Sequence, residues 1–223
     1  MLEKKGGVVA REISGHSHEE LKLIVGYLTS MSKHVPKDVD YTWMFLLELF
    51  QGMRVGEVCG LSSEEIINVD DVPCIAINTG RGKFFKNMSC IRTIPIHEVL
   101  LNLDFLGYVN SRTDKLFTTM SQRTYLARKR RLHKKILIPA KDLRITFATA
   151  LSGISTPCIA ARILGHSIPS TSEVYRKPDM SVLSRELNFV GYGFNIFKTL
   201  GIKPVSDEII AKQVKLLPQK EEI

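Results

Sequence analysis

What most constrains the fold of this 223-residue chain is a change of period in its first half. On either side of residues 74–96, apolar residues recur at the three-to-four spacing of amphipathic helices. Inside that window, Cys74-Ile75-Ala76-Ile77-Asn78 and Cys90-Ile91-Arg92-Thr93-Ile94-Pro95-Ile96 are short β-type runs. Residues 79–87, with Gly80 and Gly82, form a connection of the length a loose hairpin uses. The pattern demands a mainly α fold with one small antiparallel β-sheet, an α+β architecture.

The helices follow from periodicity and punctuation. Residues 18–31 carry the stripe Leu21, Ile24, Val25 and Leu28. Pro36-Lys37-Asp38 interrupts the pattern, Asp40 is the expected N-cap of a helix through Phe50, and Gly52 ends that helix. Further helices are expected over 55–61, 97–108, 119–133, 143–153, 157–164, 171–175 and 179–189, with residues 62–65 turning the chain. Residues 191–194 loosen it, and Ser206 caps a last amphipathic helix over 206–217. Residues 1–16 are polar and read as a mobile start, so His16 and His18 are expected to bind nothing specific. The expected division is a short N-terminal segment, 1–40, with one helix, a main domain, 41–190, and a helical tail, 191–223.

Charge narrows the partners. The chain has 31 Lys+Arg against 23 Asp+Glu, a net charge of +8, and this favours a polyanion. Residues 121–135 concentrate the excess in Arg123, Arg128, Lys129, Arg130, Arg131, Lys134 and Lys135, with no acidic residue among them. Uncompensated like charges repel one another unless an anion sits beside them. The four cysteines, Cys59, Cys74, Cys90 and Cys158, are scattered, without the spacing of a zinc site or a disulfide framework. No metal and no cofactor is therefore expected. The start lacks a secretory pattern, and the most apolar stretch, residues 41–50, is too short to span a bilayer and contains Glu48. The expectation is an intracellular, cytoplasmic protein with no membrane contact.

Four residues suit chemistry on a phosphodiester. Arg54 follows Gly52, Arg144 interrupts an apolar helix face, His166 stands between Gly165 and Ser167, and Tyr175 follows nine residues later. A buried arginine is costly unless it is paired or faces a ligand. Two guanidinium groups match phosphate oxygens with planar forks, and a phenol becomes a competent nucleophile when cations stabilise the charge that develops. A lysine can then protonate the departing oxygen. Taken alone, Arg54 reads equally well as the partner of Glu57, and His166 as a structural residue at a helix end. Gly80-Arg81-Gly82-Lys83 has some look of a phosphate loop but joins two strands rather than strand to helix.

In one order the chain contains Gln51-Gly52-Met53-Arg54-Val55-Gly56-Glu57, then the hairpin ending in Arg92-Thr93-Ile94-Pro95-Ile96. Leu143-Arg144-Ile145-Thr146-Phe147 follows, and then Leu164-Gly165-His166-Ser167 with Thr171-Ser172-Glu173-Val174-Tyr175. This set resembles the tyrosine recombinases, or phage integrases, over residues 40–180. The resemblance implies that Arg54 and Arg144 clamp the scissile phosphate, and that His166 hydrogen-bonds a non-bridging oxygen. Tyr175 would attack to leave a 3′-phosphotyrosyl bond. Lys83 is the preferred general acid, Lys86 in the same connection the alternative, and Glu57 supports Arg54.

Lys141 stands where the family usually has histidine and, as a catalytic residue, would still donate to the phosphate; Ile145 follows the second arginine where histidine is common, and only about forty residues precede the catalytic block. The resemblance therefore implies a divergent enzyme of integration, excision or inversion. It would act on double-stranded DNA at the nucleoid as a homotetramer on two sites, with a helper DNA-binding protein as a further partner. Residues 18–31 would be the remnant of a DNA-clamping domain, and the helix at 206–217 would dock onto a neighbouring protomer. Arg81, Lys86 and the seven cations of 121–135 would contact DNA backbone, with salt-sensitive affinity. The competing readings are a non-catalytic DNA-binding relative that regulates recombination or occupies integrase sites, and a type IB-like topoisomerase.

Overall fold

The structure, a computed structural model, describes residues 15–31, 34–77, 91–167 and 179–220. Eleven helices among them are α1 (His18–Leu28), α2 (Pro36–Gln51), α3 (Val55–Cys59), α4 (Glu98–Asn102), α5 (Phe105–Asn110), α6 (Gln122–Lys135), α7 (Leu143–Ser152), α8 (Pro157–Leu164), α9 (Met180–Asn188), α10 (Ile196–Leu200) and α11 (Asp207–Lys215). The strands β1 (Ile66–Val69), β2 (Val72–Ile77) and β3 (Arg92–Pro95) form one antiparallel sheet in that order. The expected α+β class, mainly helical, is the class observed.

The chain is built around α2. Tyr41, Met44, Phe45, Leu46, Leu47, Leu49 and Phe50 are all buried, so this helix is apolar nearly all round and runs through the core. Its start corrects the sequence reading. Pro36 lies at the first position of the helix and does not break it, because a helix's first N–H groups lack intrahelical partners and proline forfeits none there. Asp40 is accordingly inside the helix and not at its cap. Its fully buried carboxylate accepts from Tyr108 Oη (2.9 Å), Arg112 Nη2 (3.0 Å) and Thr119 N and Oγ1 (3.1 and 2.6 Å). At the other end Gly52 is left-handed, with φ of 58°, and a Cβ there would fall 2.2 Å from the Phe147 ring. Only glycine lets α7 pack this closely on α2.

α1 begins with a reciprocal cap between Ser17 and Glu20, and its stripe of Leu21, Ile24, Val25 and Leu28 joins the same apolar cluster as α2. The mobile-start expectation fails at residues 15 and 16. His16 is buried, donates its backbone N–H to Thr146 Oγ1 (2.9 Å), and stacks on His133 with ring centroids 5.1 Å apart. Residues 1–14 lie outside the described residues.

The sheet has one strand more than the sequence suggested. β1 pairs with β2 (Ile66 opposite Ile75) through a two-residue turn, Asp70-Asp71, in which both φ angles are positive. Those are the angles a tight hairpin needs, supplied here without glycine. β2 pairs with β3, Ile75 facing Ile94. The expected helix at 97–108 is two helices, α4 and α5, divided where Asp104 adopts φ of 70°. α10, capped by Asn195, begins just after the loosened stretch, where no helix was expected. α11 packs on α5 of its own chain, with Gln213 Nε2 donating to Asp104 Oδ1 (2.8 Å). Beyond it the chain runs alongside β1, bonding Asn68 through Pro218 O (2.9 Å) and Lys220 N (3.0 Å).

Candidate active site

Two helix ends meet at the site. The first is the start of α3, where the turn at Gly52 puts Arg54 at the N-cap position and Glu57 three residues on. Glu57 accepts from the Arg54 backbone N–H (2.9 Å) and from Arg54 Nη1 (2.9 Å). The expected support of Arg54 by Glu57 is therefore present. Glu57 is almost wholly buried. Burial by itself would push its carboxyl up, but the hydrogen bonds and charges of Arg92 and Arg54 outweigh it and hold the group below the usual carboxylate range.

The second is the last turn of α8, ended by Gly165 in the left-handed region with φ of 67°. Three successive carbonyls there accept from three different arginines. Ile163 O receives Arg92 Nε (2.8 Å), Leu164 O receives Arg144 Nη2 (2.6 Å), and Gly165 O receives Arg54 Nη2 (3.3 Å). The final carbonyls of a helix lack intrahelical donors and carry its partial negative charge, which suits cations. A Cβ on Gly165 would lie 2.7 Å from Arg92 Nη1, so a glycine is needed for this close approach.

Arg144 comes from the first turn of α7, whose cap is Asp142. Its Nη1 donates to Gly52 O (2.6 Å), which ties the end of α2 to the end of α8. Burial, with Arg54 and Arg92 nearby, draws its guanidinium down to about 10, still fully charged at neutral pH. Arg144 Nη2 also lies 3.2 Å from His166 Nε2. Arginine only donates, so that ring nitrogen accepts and the neutral imidazole carries its proton on Nδ1. Burial, then the charges of Arg144, Arg54 and Arg92, lower the His166 pKa and keep the ring neutral near pH 7. Two guanidinium groups thus contact one carboxylate, and a third, Arg144, lies close by against a neutral histidine, on a partly exposed surface. Chemically that is a receptor for an anion with several oxygens.

Arg54, Arg144 and His166 are brought together, as the sequence led one to expect. Lys141 is held instead by α1, its Nζ 3.0 Å from Glu20 Oε2 and 3.3 Å from Oε1. Tyr175 and Lys83, with Arg81 and Lys86, lie outside the described residues. Arg92 is the site residue the sequence reading passed over. Its signal was a charged residue opening an otherwise apolar strand, which folding buries to 5% exposure.

The basic run is not uncompensated, which corrects that expectation. Lys129 is buried on Glu48 of α2 (2.6 Å), and Arg128 pairs with Asp38 of α2 while lying over the Tyr41 ring. The acids sit eighty to ninety residues away in sequence, where a local count of charge does not find them. Arg123, Arg130, Arg131, Lys134 and Lys135 are exposed. Among the described residues no group of three or more His, Cys, Asp or Glu side chains is placed to hold a metal ion, and no helix is long and apolar enough to cross a membrane.

A scan against protein-family models matches none, and a search of curated proteins finds no match. Solved structures do match. An integrase from mycobacterium phage Brujita superposes with a TM-score of 0.55 at 17% identity, covering 95% of this chain and 65% of that one. The XerH site-specific recombinase, bound to its difH substrate in a pre-cleavage complex, gives 0.50 at 18% identity, covering 78% of this chain and 49% of the other. This chain therefore spans less than two thirds of the length of either protein. It carries the fold shared by these two recombinases, the mainly α catalytic-domain fold that the sequence resemblance implied.

Proposed function

We propose that the protein cleaves and rejoins DNA strands as a site-specific recombinase of the integrase type. The observation that carries this reading is the convergence of Arg54, Arg92, Arg144 and neutral His166 on the ends of α3 and α8. In the proposed step the Tyr175 oxygen attacks phosphorus and passes its phenolic proton to solvent water. The bond from phosphorus to the 5′-oxygen breaks, and that oxygen takes a proton from Lys83 to become a 5′-hydroxyl. Arg54 and Arg144 hold the charge developing on the non-bridging oxygens, and His166 donates to one of them through Nδ1–H. The 3′-phosphotyrosyl bond conserves the energy of the phosphodiester, so attack by another 5′-hydroxyl reverses the chemistry without an energy source.

Double-stranded DNA is the proposed partner, with Arg123, Arg130, Arg131, Lys134 and Lys135 as its phosphate contacts. A homotetramer on two sites belongs to the same proposal, with a helper DNA-binding protein as a further partner. Exposed Ile209 and Leu216 of the α11 region are the apolar surface that protomer docking would use. The test incubates the protein with pooled nicked duplexes and looks for an adduct that survives SDS. An adduct formed by the wild type and lost in Tyr175→Phe supports the reading. Tight DNA binding with no adduct would overturn it in favour of a regulatory DNA-binding relative.

A further inference from the structure

The cations of α6 do not all face the same way. Arg128, Arg131 and Lys135 follow one another at spacings of three and four, so they share one side of the helix. Together with Lys37 and Asp38 of α2 and Tyr27 of α1 they border a cavity of about 520 Å³. Met31 and Leu132 add an apolar lining. The volume is that of a small-ligand site.

The charges around this cavity are of two kinds. Arg128 belongs to the wall: it pairs with Asp38, donates to Lys37 O (3.2 Å) and lies over the Tyr41 ring. Lys37, Arg131 and Lys135 are exposed, and among the described residues no carboxylate pairs with any of the three. Lys135 Nζ instead sits 4.9 Å from the centroid of the Tyr27 ring and donates to Tyr27 Oη (3.2 Å). Like charges four residues apart on a helix repel, and here a third, from α2, lines the same space. A solvated helix face would spread such charges outward over a convex surface. These three, from two helices, border one concavity.

We propose that this cavity is a second anion site, for a small ligand carrying two or three linked phosphate groups held by Lys37, Arg131 and Lys135. One guanidinium and two ammonium groups spread around such a volume match several phosphates better than one. The first turn of α2, which no side chain caps, opens on the same space and adds the positive end of its dipole to theirs.

The site is separate from the arginine–histidine cluster. Lys37 and Gln51 stand fourteen residues apart on α2, about 21 Å at 1.5 Å per residue, and Arg54 lies beyond Gln51. No residue of the cluster borders the cavity. A ligand seated there would tie α1, α2 and α6 together without touching the cleavage residues, so the proposal does not depend on the strand-cleavage reading.

The experiment titrates the full chain with inorganic tripolyphosphate and follows two rings by NMR. The Tyr27 ring, assigned by comparison with Tyr27→Phe, reports the cavity, because an anion that draws Lys135 away changes its surroundings. The His166 ring reports the active site in the same samples. Tripolyphosphate is expected to shift the Tyr27 signal saturably. Lys37→Gln and Arg131→Gln should each weaken that titration about 10-fold, the loss of one charge-assisted hydrogen bond. Both side chains are exposed, so neither change threatens the fold. Lys37→Gln should leave the midpoint read at His166 where it was.

Lys134→Gln removes the same charge from the same helix at a position that does not line the cavity, and the Tyr27 titration should keep its wild-type midpoint. An unmoved Tyr27 signal in the wild type would overturn the proposal. So would Lys134→Gln weakening the titration as much as Lys37→Gln, which would mean a diffuse field and no site. A Tyr27 signal that responds to a nicked duplex but not to tripolyphosphate would also overturn it, and would give these cations to the DNA backbone alone.

Discussion

His166 works as an acceptor and donor at once only while it is neutral. Arg144 donates to its Nε2, and protonation would put a proton on that nitrogen and set two donors against each other. Burial and the three arginines lower its pKa from 6.5, so adduct formation should persist as pH falls through 6.5 and fail only further into acid. A pH–rate profile that breaks at the ordinary histidine midpoint would contradict this. Arg144→Lys should lose the fork that bridges Gly52 O and Leu164 O, and cleavage should fall by about 100- to 1000-fold, as for loss of one preorganised donor. Single-turnover adduct assays measure this directly. At this scale the sequence was most legible where side-chain type dictates use: Arg54, Arg144 and His166 stand together. It was least legible where burial decides, since no spacing rule reveals that Arg92, His16 or Lys129 is shielded from water.

Elements impose the next level of constraint. α6 presents two unlike faces. Lys129, packed on Glu48, should be silent in DNA binding but costly to remove: Lys129→Met leaves a buried carboxylate unpaired and should destabilise by about 3–5 kcal/mol. Arg130→Ala and Lys134→Ala should leave stability nearly unchanged, weaken DNA binding, and each reduce the salt slope by about one. Urea melts and salt-dependent binding isotherms separate the two classes. Gly165→Ala should cost about 1–2 kcal/mol from the left-handed backbone alone, with a further loss from contact with Arg92, and should depress phosphate affinity.

Periodicity found the long elements well, α8 at its observed limits and α2 at its C-terminal end. It missed β1, four residues with an Asp-Asp turn, and α10, five residues beside glycines, because segments this short take their identity from what they pack against. It also read Pro36 as an interruption, although the residue that cannot continue a helix is well suited to begin one.

On the scale of the whole molecule, one apolar cluster runs from Leu21 in α1 to Leu217 after α11. Buried histidines sit within it. His97 contacts Val190 O through Nε2 and is pushed down to about 4, mainly by burial; His133 is likewise near 4, from burial, His16 and Lys129. The unfolded chain takes up these protons near 6.5 and the folded chain only near 4, so their contribution is complete above 6.5 and is lost as pH falls towards 4. His97 alone accounts for about 3 kcal/mol across that window, which urea midpoints at neutral and mildly acidic pH will reveal. Removing residues 200–223 should expose the Leu217 site and the bonded edge of β1, and so lower the melting temperature as well as abolish recombination. Such long-range closure is invisible to a pattern that is read locally.

The last turn of α8 gives each arginine an address one residue apart: 163, 164, 165. Substitutions along the body of the helix leave those addresses in place. Inserting a single residue before them would turn the acceptors by about 100° and misdirect all three guanidinium groups together. The site should therefore be forgiving of spelling in α8 and intolerant of a change in its count.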